Sequence, residues 1–206
     1  MNVLITVSQN YCRYSLTMLK TLFKHNKCHI TVYLMYSRVD DATLGEMRQY
    51  IESHGNSFEP IRVADDMFDD APVNMHFTKE MYYRLLASKM LPESEERVLY
   101  MDPDILIRGS VEEFYHLPFD GNMLIAIADP PQINDPKCPD NRPHYVRLGL
   151  PENSRYVNSG VLLMNLRLMR ENRFDVNSIF EIIEEKKKDL IYPDQDAINI
   201  YFNDSM

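Results

Sequence analysis

Glycine is scarce in this chain. Its six glycines, at positions 45, 55, 109, 121, 149 and 160, form no phosphate-cradling loop. G-x-G-x-x-G, a Walker-type loop and a G-x-S-x-G elbow are all missing, so dinucleotide oxidoreductases, P-loop enzymes and α/β-hydrolases lose support. Cysteine is scarce too: Cys12, Cys28 and Cys138 make an odd number with no C-x-x-C pair. That argues against a disulfide framework and against a zinc site, and leaves reduced, structural thiols. Positive charge is in deficit, 22 Lys and Arg against 31 Asp and Glu for a net −9, and no basic block exceeds Lys186-Lys187-Lys188. Neither a nucleic-acid footprint nor a patch for an anionic membrane is visible, and an acidic protein that handles phosphates needs a metal or local donors. Long apolar runs are absent as well. The opening stretch at 3–7 is too short for a signal-peptide core or a membrane span, and no cationic segment precedes it. The expected location is the cytoplasm, peripheral attachment at the inner membrane surface included.

What is present fits a globular α/β chain, with 45% hydrophobic and 26% charged residues in a length that suits a single domain. "NVLITV" at 2–7 is a β-branched run, and Leu16, Leu19, Leu22 and Phe23 then recur at helical spacing. A second strand at 29–37 precedes a helix at 41–54 with Leu44, Met47 and Ile51 on one face. Residues 57–63 read as a weaker third strand, demoted by Pro60. The acidic stretch 64–77 reads as a surface loop, with Thr78 capping a helix striped by Tyr82, Leu85, Leu86 and Met90. Then follow a strand at 97–101, a short apolar run at 104–107, a strand at 122–129 and a long proline-rich loop. Residues 156–166 read as a buried strand. Asp175 opens a helix bearing Val176, Ile179, Phe180 and Ile183, and Pro193 sits in the first turn of the last one. This alternation predicts a mostly parallel sheet covered on both faces, with ligands outside the carboxyl ends of its strands. Three strands end in polar residues that fit such a position: Ser8-Gln9-Asn10, Asp102 and Asp129.

Asp102 and Asp104 flank Pro103 directly after the apolar run "VLYM". Two carboxylates so spaced suit a hard divalent cation that also holds a diphosphate, but a polar turn after a strand explains them equally well. The chain carries two D-x-D triplets, about as many as its 17 aspartates would give by chance. The second, Asp194 and Asp196, reads first as acids favoured by a helix dipole. Arg84 lies opposite the apolar stripe of its helix and reads as solvated.

Six blocks in order, "ITVSQNY", "MYYRLL", "VLYMDPDILIRG", "IAIAD", "YVNSGVLLMNL" and "YPDQDAINIYF", together resemble glycosyltransferase family 8 across nearly the whole chain. The resemblance implies a GT-A fold, with a Rossmann-like, mostly parallel central sheet and helices on both faces, in one domain over 1–206. It also implies a retaining enzyme that takes a hexose from UDP-glucose or UDP-galactose with Mn2+ or Mg2+. On this resemblance Asp102 and Asp104 bind the metal and diphosphate, with Asp102 also near the ribose. Arg84 reaches the sugar-phosphate site, against the solvated reading. Asp129 and Asn158 contact the donor sugar, and Asp194 and Gln195 lie by the anomeric carbon as the catalytic pair. Ser8, Asn10 and Tyr11 belong to the nucleotide pocket, with Tyr11 stacked on uracil.

Many family members carry aspartate where Ser8 stands. The family's third metal ligand, a histidine in an H-x-x-G-x-x-K-P-W-like segment, lies beyond the last helix, whereas this sequence ends at Met206. Weaker metal and donor binding than in other members is therefore expected. The leading expectation is a metal-dependent retaining hexosyltransferase with a saccharide or lipid-linked acceptor, such as a glycolipid, serving polysaccharide biosynthesis. Two alternatives are a nucleotide-sugar-binding domain without turnover and a sugar-nucleotide pyrophosphorylase, the latter disfavoured because "TVSQNYCRY" has no glycine. Oligomeric state is open, and acceptor contacts are expected on the variable stretch 130–155.

Overall fold

The computed structural model describes residues 1–64, 79–129, 144–151 and 154–206. The proposed cap at Thr78, almost all of the acidic loop, the proline-rich loop up to 143 and Cys138 lie outside the described residues.

β1 (Asn2–Val7), β2 (Thr31–Tyr36) and β3 (Ser57–Arg62) pair in parallel, with α1 (Cys12–His25) and α2 (Asp41–Ser53) as crossovers. α2 starts where the Asp40 side chain accepts the Thr43 N–H at 2.7 Å, which satisfies one of the donors left over at a helix start. Pro60 is accommodated because β3 is the edge strand of the sheet.

The expected helix after residue 78 is a 3-10 helix, Lys79–Leu86, that tightens the chain before a single α turn, α3 (Ala87–Met90). β4 (Arg97–Met101) follows, and the apolar run at 104–107 is not a strand. Its Ile107 N–H is taken by the Thr21 hydroxyl on α1 at 3.0 Å rather than by a neighbouring strand. α4 (Glu112–Tyr115), β5 (Leu124–Ala128), α5 (His144–Arg147), β6 (Val157–Asn165), α6 (Leu166–Glu171), α7 (Val176–Lys186) and α8 (Pro193–Phe202) complete the chain. α7 is capped by Asp175, and α8 carries Pro193 at its start, as the sequence implies.

Strand order is β3-β2-β1-β4-β6-β5, with β4 parallel to β1 and with β6 antiparallel to both of its neighbours. Both sheet faces are covered. Val3, Ile5, Val32, Leu34, Leu99 and Leu163 pack under α1 and α2, while Leu4, Tyr33, Val98, Tyr100, Leu162 and Met164 pack under the 3-10 segment and α6 to α8. Burial on both faces is why these strands read as continuous apolar runs.

The order reverses at β1, where β2 lies to one side and β4 to the other, and a crevice opens between the carboxyl ends of β1 and β4. Because β6 runs backwards, its first residues reach that same edge. The Asp102 N–H donates to the Gly160 carbonyl at 2.8 Å and the Asp129 N–H to the Tyr156 carbonyl at 2.8 Å.

Candidate functional site

Thr6 and Ser8 from the end of β1, Tyr100 and Asp102 from the end of β4, and Arg84 from the 3-10 segment line a cleft of about 260 Å³. Tyr11, Glu80, Met81, Pro103 and Asp104 complete the lining. Side chains two apart on a strand share a face, so Tyr100 and Asp102 project together, and the Tyr100 hydroxyl donates to Asp102 Oδ1 at 2.5 Å. Burial, outweighing the Arg84 charge, pushes the Tyr100 phenol far above its ordinary range and keeps it a donor.

Arg84 corrects the solvated reading: it is 5% exposed. Three residues per turn bring Arg84 into line with Met81, and its Nε donates to the Met81 carbonyl at 2.8 Å. The guanidinium lies over the Tyr100 ring at 4.3 Å and donates from Nη1 to the Ser159 carbonyl at 2.6 Å. It also bridges two carboxylates, Nη1 to Asp102 and Nη2 to Asp194, each at 3.4 Å. Charge pairing with these groups holds Arg84 ionised against its own burial. Asp194 is equally enclosed, and there burial dominates: its carboxyl is pushed above the usual range because Arg84 is shared and stands off at 3.4 Å.

Asp102 is positioned by a glycine. A Cβ at residue 160 would lie 2.6 Å from Asp102 Oδ2 and 3.0 Å from Asn158 Oδ1, so the carboxylate occupies space that any other side chain would take. The Asn158 side chain turns back to accept the Gly160 N–H at 2.8 Å.

Gln195 joins the strand ends of β5 and β6. Its Oε1 accepts the Ser159 N–H at 3.0 Å, and its Nε2 donates to Asp129 at 3.3 Å and to the Tyr156 hydroxyl at 3.1 Å. The expected residues Arg84, Asp102, Asp129, Asp194 and Gln195 are thus one connected group. Ser8, Tyr11 and Asp104 line the cleft beside it, whereas Asn10 lines a neighbouring cavity with Gln9, Arg13 and Thr43.

Tyr100, Tyr156, Ser159 and Gly160 belong to the site and were not singled out from the sequence, and Asp196 was noted only as an acid at a helix start. Alternation along β4 was a usable signal for Tyr100. Asp196 is fully buried, accepting from the Tyr156 hydroxyl, from His144 Nε2 at 2.6 Å and from the Ile191 and Tyr192 N–H groups. It is not merely an acid at a helix start.

Asp102 and Asp104 supply hard oxygen donors at the cleft wall, with Asp104 exposed and Asp102 Oδ2 turned away from Arg84 and Tyr100. No group of three His, Cys, Asp or Glu side chains among the described residues is arranged to enclose a cation. Two carboxylates alone would hold a divalent cation only with phosphate oxygens and water completing its shell, the way Mg2+-type ions are commonly held.

Several known proteins are similar to this chain over nearly its whole length. A lipopolysaccharide 1,2-glucosyltransferase of Escherichia coli is 22% identical over 202 residues, 97% of this chain and 57% of that protein. A glycosyltransferase of Streptococcus pneumoniae, GlyF, is 23% identical over 189 residues, 92% of this chain and 42% of that protein. The chain thus spans about half the length of these relatives. Among solved structures, the galactosyltransferase LgtC in complex with donor and acceptor sugar analogues superposes with a TM-score of 0.87 at 24% identity. That match covers 100% of this chain and 72% of LgtC, and it bears out the expected GT-A type of fold. The description "Glycosyl transferase family 8" matches residues 2–206, and the chain belongs to that family.

Proposed function

We propose that the cleft transfers a hexose, glucose or galactose, from a UDP-sugar to a saccharide or lipid-linked acceptor with retention of configuration. The observation that carries this reading is the convergence of Arg84, Asp102, Asp129, Asp194 and Gln195 at the carboxyl edge of the sheet, beside a second exposed carboxylate, Asp104. A hexosyl donor and a saccharide acceptor are in keeping with relatives described as lipopolysaccharide 1,2-glucosyltransferase and lipopolysaccharide 1,3-galactosyltransferase.

Asp102 and Asp104 are the residues that would hold a divalent cation, Mn2+ or Mg2+. Neutralising the charge that gathers on a departing diphosphate is the chemistry such an ion supplies. Tyr11 and Ser8 line the nucleotide end. Tyr11 is 43% exposed, so its side chain is accessible to a base. Arg84 holds Asp102 and Asp194 in register rather than meeting solvent, which sets the direction from which a sugar phosphate is approached.

Neither carboxylate of the second triplet is a ready nucleophile. Asp194 is enclosed and paired with Arg84, and every lobe of Asp196 is occupied by a donor. The arrangement favours attack by the acceptor on the same face from which UDP departs, with the leaving phosphate taking the acceptor's proton. No covalent sugar-enzyme bond is then required.

The test is UDP release from UDP-glucose and UDP-galactose in the presence of Mn2+, with and without a panel of oligosaccharide acceptors. Turnover of one donor, increased by an acceptor, is expected. Tight UDP binding with no release from either donor would instead identify a binding domain without catalysis.

A further inference from the structure

Gln195 belongs to the group of converging residues that carries the function proposed above, and an amide contributes there only if its two ends are held the right way round. The surroundings of Gln195 fix that sense. Ser159 N–H is a donor alone, so it must face the amide oxygen, at 3.0 Å. The amide nitrogen is then committed to Asp129, an acceptor, at 3.3 Å and to the Tyr156 oxygen at 3.1 Å.

A phenol oxygen accepts from an amide nitrogen when its own proton is engaged elsewhere, and here that proton goes to Asp196 Oδ1. Burial, reinforced by the Asp196 charge, keeps this phenol protonated far beyond its ordinary range. Asp196 is itself pinned: Oδ2 takes the Ile191 N–H at 2.8 Å and the Tyr192 N–H at 2.9 Å, and Oδ1 takes His144 Nε2 at 2.6 Å. The His144 ring also packs edge-on against Tyr156 at 5.5 Å. The hydrogen bonds therefore run in one direction, from Gln195 to Tyr156 to Asp196.

We propose that Tyr156, anchored by Asp196, is a positioning residue that fixes the side-chain amide of Gln195 for catalysis. The proposal rests on the transferase reading and adds a residue that acts through Gln195 without touching the sugar. A Phe at 156 keeps the ring and its packing but offers the amide no oxygen and leaves Asp196 short of one donor. The amide is then held by Ser159 and by the longer contact to Asp129, and turns more freely.

The experiment is a double-mutant cycle on the whole chain, read as kcat and KM for UDP release from the preferred UDP-hexose with Mn2+, over wild type, Tyr156→Phe, Gln195→Ala and the double variant. Tyr156→Phe is expected to lower kcat about tenfold, the size of one lost hydrogen bond, with little change in KM. In the Gln195→Ala background the same substitution is expected to have almost no further effect. Multiplicative losses, or a change confined to KM, would overturn the proposal. A second readout does not need turnover: the Gln195 side-chain NH2 resonances in a 15N-labelled sample should shift and exchange faster in Tyr156→Phe. Unchanged resonances in a folded variant would overturn the positioning role even if the transferase reading stands. A wild type that releases no UDP while these resonances respond would overturn the transferase reading alone.

Discussion

Arg84→Met should destabilise the fold by about 3–5 kcal/mol at neutral pH, the usual consequence of removing one partner from a buried ion pair. Asp194 is buried as deeply as Arg84, and no other cation pairs with it among the described residues. The loss should also depend on pH. The Asp194 carboxyl already lies above its ordinary value of 3.8 in the folded protein because of burial, and Arg84 opposes that rise more than the backbone N–H groups that also do so. A carboxyl raised on folding contributes stability that is complete below its unfolded pKa and is lost as pH climbs through the folded one. Without Arg84 the folded pKa moves further up, so the window of loss widens upward from about 3.8. The gap in stability between wild type and Arg84→Met is therefore expected to be small near pH 4 and to grow towards pH 7. Urea unfolding at both pH values checks this. A gap independent of pH would mean that Arg84 acts through packing on Tyr100 and its carbonyl bonds rather than through Asp194.

Gly160→Ala is expected to weaken Mn2+-dependent UDP binding by about 10- to 100-fold, the range found when groups supporting a metal ligand are disturbed. The added methyl would lie 2.6 Å from Asp102 Oδ2, far inside contact distance. Backbone holds residue 160 in place, since its carbonyl takes the Asp102 N–H at 2.8 Å, so the carboxylate is the part that moves. It must leave the Tyr100 hydroxyl and the Arg84 guanidinium, and it has solvent to move into, being 33% exposed. Stability should fall by only about 1–3 kcal/mol. Calorimetry of UDP with Mn2+, alongside a thermal melt, separates the two effects. Unchanged affinity would show that Asp102 is not needed in its observed position.

Much of this architecture is legible in the sequence because its physics is local. Alternating apolar runs and helical stripes give the elements, and Asp175 and Pro193 mark helix starts by satisfying or removing backbone donors. The antiparallel sense of β6 is not local. A strand buried on both faces reads the same in either direction, and only the pairing with β4 and β5 reveals that its first residues sit at the crevice. The misreading of Arg84 has the same origin. An α-helical wheel puts it opposite the apolar stripe, whereas the 3-10 segment is buried continuously from Tyr82 to Leu86 and has no solvent side at that point.

Within the site, polar residues at the strand tips were visible as candidates, and the six ordered blocks supplied the roles expected of them. Ordinary-looking neighbours were not visible. Gly160 matters because of where Asp102 points, and Asp196 because four donors from three separate stretches of chain meet on it. Neither fact exists until the chain is folded.

On the proposed function, the two carboxylates after β4 bring a divalent cation and a nucleoside diphosphate together. Titration of UDP into wild type and Asp104→Ala by calorimetry, with and without Mn2+, tests this. Asp104 is exposed at the cleft wall, so its removal leaves the fold intact. The expected result is UDP binding that requires Mn2+ in wild type and is lost in Asp104→Ala. Binding of equal strength with and without the ion, or binding that survives in the variant, would contradict the claim.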